Sequence, residues 1–201
     1  MILTYIGLGA NLPSAAGAPH ETLAAAAERL ASLGRVVARS SLYSTTPVGF
    51  AEQPRFLNAV VAIETELGPH QLLRALLAIE REFGRDRAGA IPNGPRTLDL
   101  DILLYGSLRV SEAGIEIPHP RLAERAFVLV PLAQIAPEAV EPVSGARVKE
   151  LLERLRAGHP SEWNQSANEV VAIECDDWRA GGDCGHDGGA RAESGADSHH
   201  G

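Results

Sequence analysis

The run Leu98-Asp99-Leu100-Asp101-Ile102-Leu103-Leu104 restricts what this chain can fold into more than any other stretch. Apolar residues at 98, 100, 102 and 104 alternate with Asp99, Asp101 and Leu103, the period of a strand whose leucine face is buried and whose aspartates project from the other face. A helix would send residues two apart to nearly opposite sides. In a strand their Cα atoms lie roughly 7 Å apart on one face, close enough for two carboxylates to share a pair of hard cations. Gly94-Pro95 starts the strand, and Arg96 reaches the same space. A solvated edge strand also carries charge, but Leu103 continues the aspartate face and argues against a simply solvent-washed surface. The pattern predicts a strand bearing a candidate metal site.

With 201 residues, 45% of them hydrophobic, the chain can bury one substantial core and carry an appendage. The formal charge of -8 is unevenly placed: residues 157–201 hold nine acidic and two basic side chains, against 17 and 16 in the nearly neutral remainder. Such a body lacks a nucleic-acid-binding footprint, although a local arginine patch suits a small polyphosphate. Cys175 and Cys184 both fall in the acidic stretch, so the body has no cysteine, which fits a reducing cytoplasm. The apolar opening Ile2–Leu8 is too short to span a bilayer and lacks a basic flank, so neither a leader nor a membrane span is expected.

Strand and helix periods alternate along the chain. Ile2–Leu8 reads as a buried strand running into Gly7-Leu8-Gly9-Ala10-Asn11, whose glycines match no phosphate-loop spacing and are read as a structural turn. Leu23, Ala26, Ala27, Leu30 and Leu33 predict a helix stopped by Gly34, and Val36–Tyr43 a strand. Phe56–Glu64 predicts another strand, and Leu72, Leu76, Ile79 and Phe83 a second amphipathic helix ending at Gly84. Residues 45–54 and 85–93 are loops broken by proline and glycine. Ser107–Ile117 predicts a hairpin, Ala123–Ala136 a helical region interrupted by Pro131, and Val148–Arg156 a last helix. Two regions result: a domain over 1–156, and an acidic tail over 157–201 expected to be disordered apart from one brief strand at Val170–Ile173. Cys175, Cys184, His186, His199 and His200 lack the paired spacing of a zinc site, and the tail is expected to supply neither core nor site residues.

Five blocks occur in one order: Ser41–Gly49, Gln53–Ala59, Ile79-Glu80 with Gly84-Arg85, Gly94–Leu104, and Pro118–Phe127. Together they resemble the 6-hydroxymethyl-7,8-dihydropterin pyrophosphokinases of folate biosynthesis, from about Ile2 to about Arg156. The resemblance implies a ferredoxin-like α/β (α+β) fold, an antiparallel sheet flanked by helices. It implies an enzyme that moves pyrophosphate from ATP to the pterin hydroxymethyl group and releases AMP; the chain is expected to act as a monomer that meets neither nucleic acid nor membrane. The resemblance also implies two Mg²⁺ ions on Asp99 and Asp101, with Arg85 and Arg96 as catalytic arginines on the phosphates. Glu80, His119 and Arg125 match further ATP-binding positions. Phe56 and Phe127 match the aromatics that sandwich the pterin, Thr45 and Asn58 match residues that bond its edge, and Val48 supplies backbone groups. The sequence departs from the family pattern at the longer 85–94 loop, at Asn93 where tryptophan is frequent, and at Pro120. The aspartate pair alone also fits a metal-dependent phosphohydrolase or nucleotidyl transferase, and the fold alone fits a non-catalytic ligand-binding module.

Overall fold

A computed structural model describes residues 1–47, 52–87, 94–158, 170–173 and 178. Its centre is an antiparallel sheet in the order β5-β1-β4-β3-β8, with β2 also paired to β4. The strands are β1 (Ile2–Ala10), β2 (Arg35–Arg39), β3 (Leu42–Thr45), β4 (Phe56–Thr65), β5 (Asp99–Tyr105) and β8 (Val171–Ile173). A separate hairpin pairs β6 (Val110–Glu112) with β7 (Ile115–Ile117). The helices are α1 (Pro19–Leu30), α2 (Pro69–Glu82), α3 (Ala126–Ile135) and α4 (Val148–Gly158). This is the expected antiparallel sheet flanked by helices.

Helices α1 and α2 begin alike. Each has proline in its first turn, where the missing N–H costs nothing. Each has a side chain reaching back to the preceding backbone N–H, Glu21 to Ala18 and Gln71 to Gly68. Their apolar faces, with Leu23, Ala27 and Leu30 from α1 and Leu72, Leu76 and Ile79 from α2, bury one face of the sheet together with Ile6, Leu8, Val61, Ile63, Leu100 and Ile102. The opposite face carries Val60, Leu103 and Leu104 and is covered by α3 and α4 through Val128, Leu129, Leu132, Val148, Leu151 and Leu152.

Three sequence expectations change. Gly7 and Gly9 do not form a turn, because they lie inside β1. The predicted strand Val36–Tyr43 is two strands, broken at Ser40-Ser41, each pairing with β4. Leu104 does not share a core with Leu98, Leu100 and Ile102. Pairing between β1 and β5 shifts between Tyr5 and Ile6, so that Tyr5 faces Leu104 while Ile6 faces Ile102. The extra β5 residue, Leu103, inverts the alternation, as an inserted strand residue must. Leu104 therefore joins the core under α3 and α4, and Tyr105 takes the position facing α1 and α2.

The acidic stretch also contributes to the packing. β8 pairs antiparallel with β3, with Leu42 opposite Ile173, Tyr43 opposite Ala172 and Ser44 opposite Val171. Trp178, only 1% exposed, is part of the core under α1 and α2. Composition hid this contribution: one indole buries a large apolar area, which a segment average dominated by glycine and aspartate dilutes.

Candidate active site

One cavity of about 540 Å³ opens on the α3/α4 face of the sheet, and register explains how it forms. Gly9 pairs with Asn58 on one side and Asp99 on the other, while Gly7 sits between Val60 and Asp101. Side chains alternate along β1, so Ile6 and Leu8 enter the core and the two glycines meet the cavity. With no side chain on the middle strand, the carboxylates of β5 and the amide of β4, two strand spacings or roughly 10 Å apart, share one space. A Cβ on Gly9 would meet Asn58 Oδ1 at 3.2 Å, and one on Gly7 would meet Leu103 at 3.2 Å. These glycines make the floor.

Asp99 and Asp101 both line the cavity, as the strand period requires. Burial, reinforced by the Asp99 charge, pushes the Asp101 carboxyl up to about 6. Its side chain nevertheless keeps 43% exposure, which faces the cavity rather than the open surface. Asp99 is drawn toward arginines: Arg96 Nη1 donates to its Oδ2 at 2.8 Å, and Nη2 of Arg85 and of Arg87 each lie 3.8 Å from its Oδ1. Among the described residues no third carboxylate, histidine or cysteine joins the pair in a ready metal cage.

Arg96 is fixed at its backbone. Asn11 Oδ1 accepts from Arg96 N at 2.8 Å, and Arg96 O accepts from the N–H groups of Asn11 and Leu12. The Asn11 amide also donates to Gln53 Oε1 and Pro54 O, which joins the loop before β4 to the same clamp. Nε of Arg85 and of Arg96 is buried with no partner among the described residues, leaving donor capacity beside the carboxylates. Burial lowers the pKa of Arg85 and, with repulsion from Arg121, that of Arg125, yet both guanidiniums remain cations at neutral pH.

Glu80 is 1% exposed and does not open into the cavity. Its Oε1 accepts from the backbone N–H of Leu100 at 2.9 Å, and both oxygens are gripped by Arg87. His119 stands on the turn after β7, with its N–H donating to Leu103 O. Its Nδ1 accepts from Arg121 N at 3.1 Å, so the neutral ring carries its proton on Nε2, which lies 4.0 Å from Asp101 Oδ2. Burial and the charge of Arg125 hold its pKa down at about 4, so the ring is neutral at physiological pH.

Thr45, Phe56, Asn58, Arg125 and Phe127 line the same cavity, whereas Arg85 reaches it only through Asp99 and His119 lines a separate cavity with Arg109, Glu116 and Leu122. Asn58 Nδ2 donates to Thr45 Oγ1 at 2.7 Å, linking β4 to β3. Phe56 lies under the Arg96 guanidinium at 4.9 Å and Phe127 under that of Arg125 at 5.5 Å, so each ring is covered by a cation. Val48, Asn93, the rest of loop 88–93 and Cys175, Cys184, His186, His199 and His200 lie outside the described residues. Sequence reasoning missed Asn11, Arg87 and Arg121. The spacing Gly7-x-Gly9-x-Asn11 is the signal for the first, since strand alternation places Asn11 beyond the glycines on their face.

A profile of the 7,8-dihydro-6-hydroxymethylpterin-pyrophosphokinase (HPPK) family matches residues 5–137. A 2-amino-4-hydroxy-6-hydroxymethyldihydropteridine pyrophosphokinase of Methylorubrum extorquens is 47% identical over 157 residues, covering 77% of this chain and 94% of the relative. The enzyme of the same description from Pseudomonas aeruginosa is 46% identical over 150 residues, covering 74% and 88%. A crystal structure of Plasmodium falciparum HPPK-DHPS superposes with a TM-score of 0.61 at 14% identity, a likeness of fold. That match covers 86% of this chain and 49% of the other, so this chain spans about half of that two-part protein.

Proposed function

The chain belongs to the 7,8-dihydro-6-hydroxymethylpterin-pyrophosphokinase family, and from that membership we propose that its cavity transfers pyrophosphate from ATP to the hydroxymethyl group of 6-hydroxymethyl-7,8-dihydropterin, yielding AMP and the pterin diphosphate for folate synthesis. The observation that carries the assignment is the glycine floor. It joins a carboxylate-and-arginine half, suited to a triphosphate, to an aromatic-and-amide half, suited to a flat heterocycle, in one space.

In the reaction the hydroxymethyl oxygen gives up its proton to solvent and forms its bond to the β-phosphorus, while the bond from that phosphorus to the α-phosphate bridging oxygen breaks and AMP leaves with that oxygen. Arg85 and Arg96 place fixed positive charge where negative charge shifts between phosphate oxygens. Arg125 from the cavity wall, and the Nε2–H of His119 from beside Asp101, supply further donors on the nucleotide side. Phe56 and Phe127 hold the pterin ring, and Asn58 with Thr45 bonds its edge. Glu80 acts through β5 by holding the Leu100 backbone between the two aspartates, instead of touching ATP itself.

Two Mg²⁺ ions fit Asp99 and Asp101. The pair faces one space with mutual repulsion that a cation relieves, and Mg²⁺ needs only one or two protein carboxylates when phosphates complete its shell. Bound there, the ions would neutralise the triphosphate and fix its orientation. We read the enzyme as a cytoplasmic monomer that engages neither nucleic acid nor membrane. No helix among the described residues is long and apolar enough to cross a membrane.

Measuring AMP formation with and without the pterin tests the assignment. Pterin-dependent AMP is expected. Release of inorganic phosphate without pterin would identify a phosphohydrolase, and no turnover with either would leave a binding module. Arg85→Ala is expected to slow single-turnover transfer by on the order of 10²-fold while weakening ATP binding only a few-fold, because its charge acts chiefly as the phosphates rearrange. An unchanged transfer rate with a sharply higher ATP dissociation constant would make Arg85 a ground-state binding residue.

A further inference from the structure

Two described pieces lie beyond the matched family region, Val170–Ile173 and Trp178, and the first stands at the pterin end of the cavity. Val170 lines that cavity, as do Leu155 of α4 and Phe127 and Val128 of α3. Its place follows from the register: β8 sets Val171 opposite Ser44, so one step further along the antiparallel pair brings Val170 level with Thr45. Thr45 is the residue that accepts the amide hydrogen bond of Asn58.

Trp178 lies on the opposite face of the sheet. It fills the core under α1 and α2 and donates from Nε1 to Ser40 O at 2.5 Å. Arg39 Nη1 donates to Trp178 O at 3.3 Å, and the Arg39 guanidinium lies 5.8 Å from the ring centroid. Ser40 occupies the break between β2 and β3, and its hydroxyl accepts from the Val60 N–H. The indole therefore locks at the point where β3 departs from β2, and β8 covers the remaining edge of β3.

We propose that Val170–Ile173, pinned by Trp178, is a strap built into the pterin subsite, in which Val170 limits the pocket beside Thr45 and Trp178 acts as a positioning residue that holds β3. The proposal rests on the assignment of this end of the cavity to the pterin. It moves the functional boundary of the domain past 156, since the strap supplies both core and cavity wall. The apolar Val170 methyls suit the edge of a flat heterocycle and have nothing to offer a triphosphate, so the acceptor, and not ATP, should sense the strap.

The test uses the full chain with Trp178→Ala and Val170→Trp. Trp178→Ala should raise the pterin KM about three- to tenfold, the scale of losing a few methyl-sized contacts, and leave the ATP KM in place. It should also speed amide hydrogen exchange across Leu42–Thr45 and lower Tm by roughly 6 to 20 °C, the scale of emptying a buried indole site. Val170→Trp should narrow the pocket and raise the pterin KM without faster exchange in β3. Pterin KM values unmoved in both variants, or ATP and pterin KM rising in step, would overturn the proposal. Absence of AMP formation by the unmodified chain would overturn the assigned reaction instead. The strap would then still be decided by equilibrium pterin dissociation and by exchange in β3, where unchanged values in both variants would count against it.

Discussion

Asp99→Ala and Asp101→Ala are each expected to lower AMP formation by on the order of 10³-fold or more, because each removes half of the anionic platform on which the triphosphate is neutralised. The fold should survive both changes, since both side chains face a cavity and Arg96, which loses its partner when Asp99 is removed, stays clamped at its backbone by Asn11. Asp101→Asn has a second expected consequence. The Asp101 pKa is raised to about 6 in the fold, whereas an unfolded chain ionises near the ordinary carboxylate value. Between those two values the folded state keeps its proton while the unfolded state has lost it. Stability therefore falls as pH rises through that window, and the full cost remains above it. Without Mg²⁺, Asp101→Asn should raise Tm at pH 7.5 and leave it nearly unchanged at pH 4. The same linkage makes Mg²⁺ binding strengthen as pH rises through about 6. Turnover retained at ordinary Mg²⁺ in either alanine variant would remove the metal assignment.

Glu80→Ala is expected to be the most destabilising single change near the site, by about 2–4 kcal/mol, read as a fall in Tm of roughly 5 to 15 °C. It strands the buried Leu100 N–H, which has Glu80 Oε1 as its acceptor, and opens a gap beneath β5. The Arg87 guanidinium loses its partner as well, but at 53% exposure it recovers water and adds little. Glu80→Gln keeps a carbonyl oxygen for Leu100 and should restore most of the stability. If alanine and glutamine variants were equally stable while both lost ATP affinity, Glu80 would be a nucleotide contact and not a support of the metal strand.

The aspartate strand, both amphipathic helices and the position of the two arginines were legible in the sequence, because each rests on a local period or a short block. What escaped depends on pairing between distant strands. Leu104 was assigned to one core because alternation was extended past Asp101, and only the partner strand reveals the extra residue at Leu103. Gly7 and Gly9 looked like a turn because glycine is scarce in strand interiors. Their reason, room for Asn58 and Asp99 across the middle strand, lies in residues about 50 and 90 positions away. Glu80 matched the block of residues around the nucleotide, but its burial is set by Leu100, which no spacing within α2 could indicate. Trp178 was lost in a segment judged by its average composition.

The glycine floor bears on how this enzyme could escape an inhibitor. A compound pressed against Gly7 and Gly9 rests on main chain, which no amino-acid replacement can delete. Any replacement there adds atoms into space bounded by Asn58 Oδ1 or Leu103 at 3.2 Å, and so crowds the substrate pocket along with the drug. Resistance would have to arise at the rim, where side chains can be exchanged. Chemistry that draws its affinity from the floor would leave the target the fewest ways out.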